Sequence, residues 1–311
     1  MKIITPLLLL LCITFAAKAS ELSQVAAIES SSLHNHSNAD LVELGQWNFA
    51  IGLGYGRRTN PLYEGKDTPL YFIPSISYYD EHLFFDDGVL GYSVEITPQL
   101  SLSAITQLNT HAANFSRWHP SNFFVAQTNS LLADNKFSPS LDVIYPQTDK
   151  EISEQPINVS ELADRDWALD AGIQLNYFGH NDWMLQVNLL HDVLNVYNGF
   201  NGQLRLEKAW RFSSLPPLSI KLSGTLDWHS QKLANYYYGI GVRDTQLTAS
   251  HFTADNGINR TLGISANYHL SSNWRAAVSY RLTTLDSSIK QSPMVRDDHS
   301  DTFFVGATYD F

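Results

Sequence analysis

Residues 166–177, DWALDAGIQLNY, repeat with a period of two. Trp167, Leu169, Ala171, Ile173, Leu175 and Tyr177 fall on one face, and Asp166, Ala168, Asp170, Gly172, Gln174 and Asn176 on the other. That is the periodicity of a strand. The apolar face starts and ends on an aromatic residue, and the stretch has the length of about 9–11 residues that a tilted strand needs to cross a bilayer. Slipping it by one residue would turn Asp166, Asp170 and Gln174 toward lipid, at about 1–4 kcal/mol per charge. The pattern therefore fixes which face meets lipid.

The same alternation recurs along the chain. Trp47, Phe49, Ile51, Leu53 and Tyr55 oppose Asn48, Ala50, Gly52, Gly54 and Gly56, whose small inward side chains leave room in a narrow bore. A loop containing Arg57, Arg58 and Glu64 precedes a strand at about 69–79, in which Pro74 marks a bulge or an edge because it lacks a ladder donor. A short hairpin (82–86 and 89–97) and a strand at 99–109 follow. After residue 166 come strands around Trp183, Trp210, Trp228, Leu262 and Trp274, and a last one at about 301–311 that ends Tyr309-Asp310-Phe311. Lys208 is the exception on an apolar face and is expected to snorkel.

Short turns alternate with long connections near 57, 110, 194, 230 and 286. The expected fold is an all-β, transmembrane, antiparallel up-and-down β-barrel of about 12 strands, or 10 if the short hairpin drops out, with its short turns in the periplasm. The connections at about 110–164 and 230–259 are the long ones. The interfacial aromatics are expected to be Trp47, Tyr55, Trp167, Tyr177, Trp183, Trp210, Trp228, Trp274, Tyr309 and Phe311. The lumen-facing polar row, structural or pore lining, is expected to be Asp166, Asp170, Arg205, Glu207, Arg211, Lys221, Asp227, Arg275 and Arg281. In a barrel this narrow such charges can pair and fill much of the bore.

Composition bears on the ends of the chain and on its partners. Residues 1–19, with Lys2, an apolar core from Ile3 to Phe15 and Ala17-Lys18-Ala19, read as a cleaved signal peptide. The single cysteine, Cys12, lies inside it behind Leu11, so the mature chain is expected to be cysteine-free and not lipid-anchored. Residues 20–46, polar and without a sustained period, read as a flexible periplasmic arm. The net charge of −11 makes no nucleic acid a partner. The barrel, 47–311, is expected to meet outer-membrane lipid.

GLGYGRRTNPLYEG at 52–65 and YRLTTLDSSIKQSPMVRDDHSDTFFVGATYDF at 280–311 resemble the MltA-interacting protein / OmpV family of Gram-negative outer-membrane proteins, with a looser match across 47–311. The resemblance implies a barrel without catalytic residues. It also implies a scaffold linking a lytic transglycosylase and a murein synthase, or an adhesion-related or porin-type barrel. The terminal aromatic, common to most outer-membrane barrels, implies recognition of the C-terminal strand by the barrel assembly machinery.

No constellation reads as a catalytic, cofactor-binding or metal site. His191 and Asp192, neighbours on a strand, point to opposite faces. Asp86-Asp87-Gly88, with His82 nearby, is turn chemistry. His34, His36 and Asp40 sit in the arm without a fixed scaffold. GLGYG at 52–56 has Arg57 where a dinucleotide fingerprint needs its third glycine. A Ser–His–acid set projecting from neighbouring strands, as in a barrel hydrolase, has no diagnostic motif here.

Overall fold

The computed structural model describes residues 44–123, 156–212, 218–247 and 250–311. Residues 1–43, with the expected signal peptide and most of the expected arm, most of the long connection after residue 109 and residues 213–217 lie outside those residues.

The strands are β1 (Gln46–Arg58), β2 (Thr68–Pro69), β3 (Phe72–Tyr79), β4 (Leu83–Asp86), β5 (Val89–Thr97), β6 (Leu100–Leu108) and β7 (Leu169–Gly179), then β8 (Trp183–Asp192), β9 (Phe200–Phe212), β10 (Leu218–His229), β11 (Gly257–His269), β12 (Trp274–Thr284) and β13 (His299–Asp310). From β3 to β13 each pairs antiparallel with the next, and β1 pairs with β3 on one side and β13 on the other. Ala50 opposite Asp310 begins the closing seam and Arg58 opposite Thr302 ends it. Closure removes both sheet edges, which a wall facing hydrocarbon requires.

β2 and β3 are two halves of one strand, so the wall has twelve. Leu53 opposes Phe72 and Arg57 opposes Pro69, which leaves three residues of β1 facing Leu70 and Tyr71. This bulge turns Tyr71 and Phe72 both outward and Leu70 and Ile73 both inward. Pro74 is explained by a local gap in the ladder, because β4 pairs with β3 only over Ser77–Tyr79. The Ile76 N–H donates to the Asp87 carboxylate at 2.7 Å, and Asp87 N–H donates back to the Ile76 carbonyl. With a period of two, the Pro74 nitrogen faces the same side, beyond the tip of four-residue β4, where no strand would accept a hydrogen bond. At that tip Asp87 and Gly88 both have positive φ, 45° and 97°, the signature of a two-residue hairpin turn.

The outer face carries two aromatic belts. Near the short turns Trp47 packs on Tyr78 (5.1 Å) and Phe85 (6.0 Å), and Trp274 packs on Tyr309, which meets Phe311. At the other end Tyr55 meets Tyr71 and Phe303. Lys208 lies over the rings of Trp183 and Trp210 and donates to the Asn181 carbonyl at the turn, so its charge escapes the apolar band.

The long connections do not stay open loops. Leu62, Ala112, Ala168, Tyr197, Leu285 and Val295, drawn from four of the connections, pack with the helix α1 (Gln231–Tyr238) and the short helix α2 (Ser287–Lys290) into one apolar cluster. Leu233, Ala234, Tyr237 and Tyr238 form the buried stripe of α1. The result is a lid with its own core across the mouth of the barrel.

Candidate functional site

Below the lid lies a chamber of about 240 Å³. Its wall is a row of hydroxyls: Thr225, Thr261, Thr283 and Ser300 follow one another across β10 to β13 in register, beginning at Arg205 on β9. A second rung carries Arg281 on β12, Thr302 on β13 and Arg58 on β1. Residues directly opposed in an antiparallel ladder share a face, so both guanidiniums enter the same chamber.

The floor is an ion cluster. Glu207 accepts from Arg205 at 2.7 Å and lies 3.3 Å from Lys221, with Arg205 and Glu207 side chains 8% exposed. Nearer the short turns, Ser103, Gln174, Ser219, Ser265, Asn267 and Thr308 are buried, so that half of the bore is packed. Asp170 is anchored at the rim: one oxygen accepts from Tyr197 Oη at 2.5 Å, the other from Asn109 and Asn201 at 2.7 Å each. Asp227 accepts from Gln203 at 2.7 Å. Arg275 forms a two-toothed pair with Asp310 near the short turns. Arg211 is exposed at the same end. Asp166 lies before β7, exposed, and its N–H donates to Tyr236 Oη of the lid. β7 itself begins at Leu169, because Ala168 belongs to the lid core.

The roof comes from residues that strand periodicity does not reveal. The His111 Nδ1 stands 2.9 Å from Tyr238 Oη, which also accepts from Asn114. Arg58, expected in a loop, is instead the last residue of β1, because the alternation runs on through Arg57 outward and Arg58 inward. Its guanidinium donates to Asn122 Oδ1 at 2.8 Å and to Asn114 Oδ1 and the Ser121 carbonyl, tying the wall to the roof. Burial, with His229 and Arg58 adding repulsion, pushes the His111 imidazole down to about 3. Burial and Arg58 likewise push His119 down to about 4, and its Nδ1 accepts from the Ser121 N–H as a neutral ring must.

Two histidines of the described residues lie beside groups that hydrolytic sites use. His191 packs on Phe200 at 4.5 Å on the outside, while Asp192 is buried and accepts the N–H groups of Leu194, Tyr197 and Asn198 as the core of a turn. His229 Nε2 lies 3.2 Å from Ser288 Oγ, but its Nδ1 has no partner and Asp286 instead caps the Ser288 N–H. The orienting third member of a triad is thus directed elsewhere. Among the described residues no group of three metal-ligating side chains converges.

The MltA-interacting protein of Escherichia coli (strain K12) is 22% identical over 267 residues, which cover 85% of this chain and 90% of that protein. The outer membrane protein YiaT of Escherichia coli O157:H7 is 24% identical over 267 residues, 84% of this chain and 90% of that one. An outer membrane channel from Pseudomonas putida F1 is a looser structural likeness, with 12% identity, 89% of this chain and 99% of that chain covered, and a TM-score of 0.37. The closed barrel with lipid-facing belts is an outer-membrane protein. The profile of the family described as MltA-interacting protein MipA matches residues 51–311, nearly the whole of that barrel, and the chain belongs to this family.

Proposed function

We propose that this barrel is a non-enzymatic adaptor of the outer membrane that holds murein-remodelling enzymes at its periplasmic side. The observation that supports the reading most is the filled bore: a packed lower half, an ion cluster and a lid with an apolar core leave the short turns as the surface offered to partners. Leu44 and Leu270, both well exposed beside those turns, are apolar contact points. The name of the relative in Escherichia coli supports a lytic transglycosylase as one partner, and the family resemblance adds a murein synthase. Affinity capture with the tagged barrel from detergent-solubilised envelopes tests it. Recovery of a transglycosylase or a synthase is expected, and recovery of neither overturns the reading.

A narrow diffusion channel is the second reading, favoured by the hydroxyl- and arginine-lined chamber. Planar-bilayer recording separates the two, since a channel gives steady single-channel steps and a closed adaptor gives none.

A further inference from the structure

We propose that the chamber beneath the lid is a binding site for a small oxyanion, a phosphate- or carboxylate-bearing solute held between Arg58 and Arg281. The two residues flank Thr302 on one rung of the closing seam, so their Cα atoms stand two strand spacings apart, about 9.5 Å. Arg58, Arg281 and the Thr302 hydroxyl between them all line that one chamber, so a single oxyanion entering it has two guanidiniums and a hydroxyl as donors.

Charge accounting around the pair points the same way. Every hydrogen bond from Arg58 goes to a neutral amide or carbonyl oxygen. Among the described residues no carboxylate lies within ion-pair distance of Arg281. The charged groups acting on it are Arg205, Arg58 and, in opposition, Asp227. Asp227 already accepts from Gln203, and both oxygens of Asp170 are taken. Arg58 and Arg281 face a cavity whose lining also holds Arg205, already paired with Glu207, and the carboxylates of Asp87, Asp170 and Asp227, each accepting hydrogen bonds of its own. Guanidinium forks match phosphate and carboxylate geometry, and an anion there satisfies both. The hydroxyl wall of Thr225, Thr261, Thr283 and Ser300 suits the polyol body of such a solute, and about 240 Å³ holds a molecule of sugar-acid size. This site is independent of the adaptor reading, since it lies at the opposite end of the bore from the short turns.

Calorimetric titration of the purified full chain in detergent at low ionic strength, with inorganic phosphate and with glucuronate, tests the proposal and distinguishes the two anion classes. Saturable binding of either, above a chloride control, is expected. Arg281→Gln and Arg58→Gln are each expected to weaken it by about tenfold or more, with Arg281→Lys and Thr302→Val losing less and Arg211→Gln losing nothing. Retention of the fast-migrating unheated band on SDS gels reports folding of each variant. If neither anion binds above the chloride control, or if folded variants of both arginines bind as the parent does, the assignment is wrong.

Discussion

The ring of Phe304 lies across the inner face of β1 where Gly54 presents no side chain: a Cβ built at Gly54 would stand 2.8 Å from the ring's Cζ and 2.6 Å from the Cα of Gly306. Gly54 and Gly306 oppose each other across the closing seam, and Phe304 fills the space both leave. Leu70, Ile73 and Ala277 complete the cluster. Gly54→Ala is therefore expected to cost about 1–3 kcal/mol, because the obstruction is partly backbone and cannot rotate away. Phe304→Ala, which empties the same space, is expected to cost about 3–5 kcal/mol. Urea unfolding in detergent, followed by tryptophan fluorescence, reads both. A Gly54→Ala midpoint equal to that of the parent contradicts the close fit.

Glu207 is the single acid between two cations. Removing its charge strands Arg205 and Lys221 together in a half-dry bore, a change that typically costs about 3–5 kcal/mol. Glu207→Gln is expected to lower the unfolding midpoint accordingly, and adding Lys221→Gln should recover part of the loss. A double variant no more stable than Glu207→Gln alone would show that repulsion between the cations is not the cause.

The lid is expected to loosen in acid. His111 and His119 are held at about 3 and about 4 when the lid is closed, against an ordinary value of 6.5. Below pH 6.5 an opened lid takes up protons that the closed lid refuses, so closure is fully favoured above pH 6.5 and weakens as pH falls toward 4. Each histidine contributes up to about 1.4 kcal/mol per pH unit in that window. Hydrogen exchange over residues 109–123, corrected for the intrinsic pH dependence, is expected to speed up between pH 7 and pH 4.5. Flat protection across that range, or loss of the effect only when strand amides also exchange, argues against a local lid transition.

The wall was legible in the sequence because strand periodicity is local: each side chain's face follows from its neighbours two residues away, and lipid on one side makes a slip costly. Trp47, Tyr55, Trp183 and Trp274 lie exposed on the side that alternation gives them, and the pairing of β13 with β1 removes the edges that an open sheet would leave. The lid was not legible, because its core has no local period. Leu62 meets Val295 across more than two hundred residues, and Tyr197 joins Tyr237 from a different connection. The chamber fell between the two cases. Arg205, Asp227 and Arg281 stood in the inward row, whereas Arg58 and His111 enter it through a strand two residues longer than its expected alternation and through a turn that folds back over the bore.

Arg165 and Asp244 hold the outer side of that lid together. Both side chains are fully buried, 2.9 Å apart, and Arg165 also donates to the carbonyls of Ala163, Tyr237 and Gly239. Burial alone would raise the Asp244 carboxyl, but the Arg165 hydrogen bond and the Gly241 N–H hold it below the usual carboxylate range. The pair therefore joins the segment entering β7 to the turn after α1. Asp244→Asn leaves the guanidinium buried without its counter-charge, a loss of about 3–5 kcal/mol for a buried pair. Because the barrel seam is elsewhere, the loss should fall on the lid alone. Limited proteolysis is expected to cleave within 156–165 or 239–247 faster in this variant, while the heat-dependent gel shift of the barrel stays unchanged. Equal cleavage rates would show that the apolar core of the lid suffices without the ion pair, and a weakened gel shift would show that lid and wall unfold as one unit.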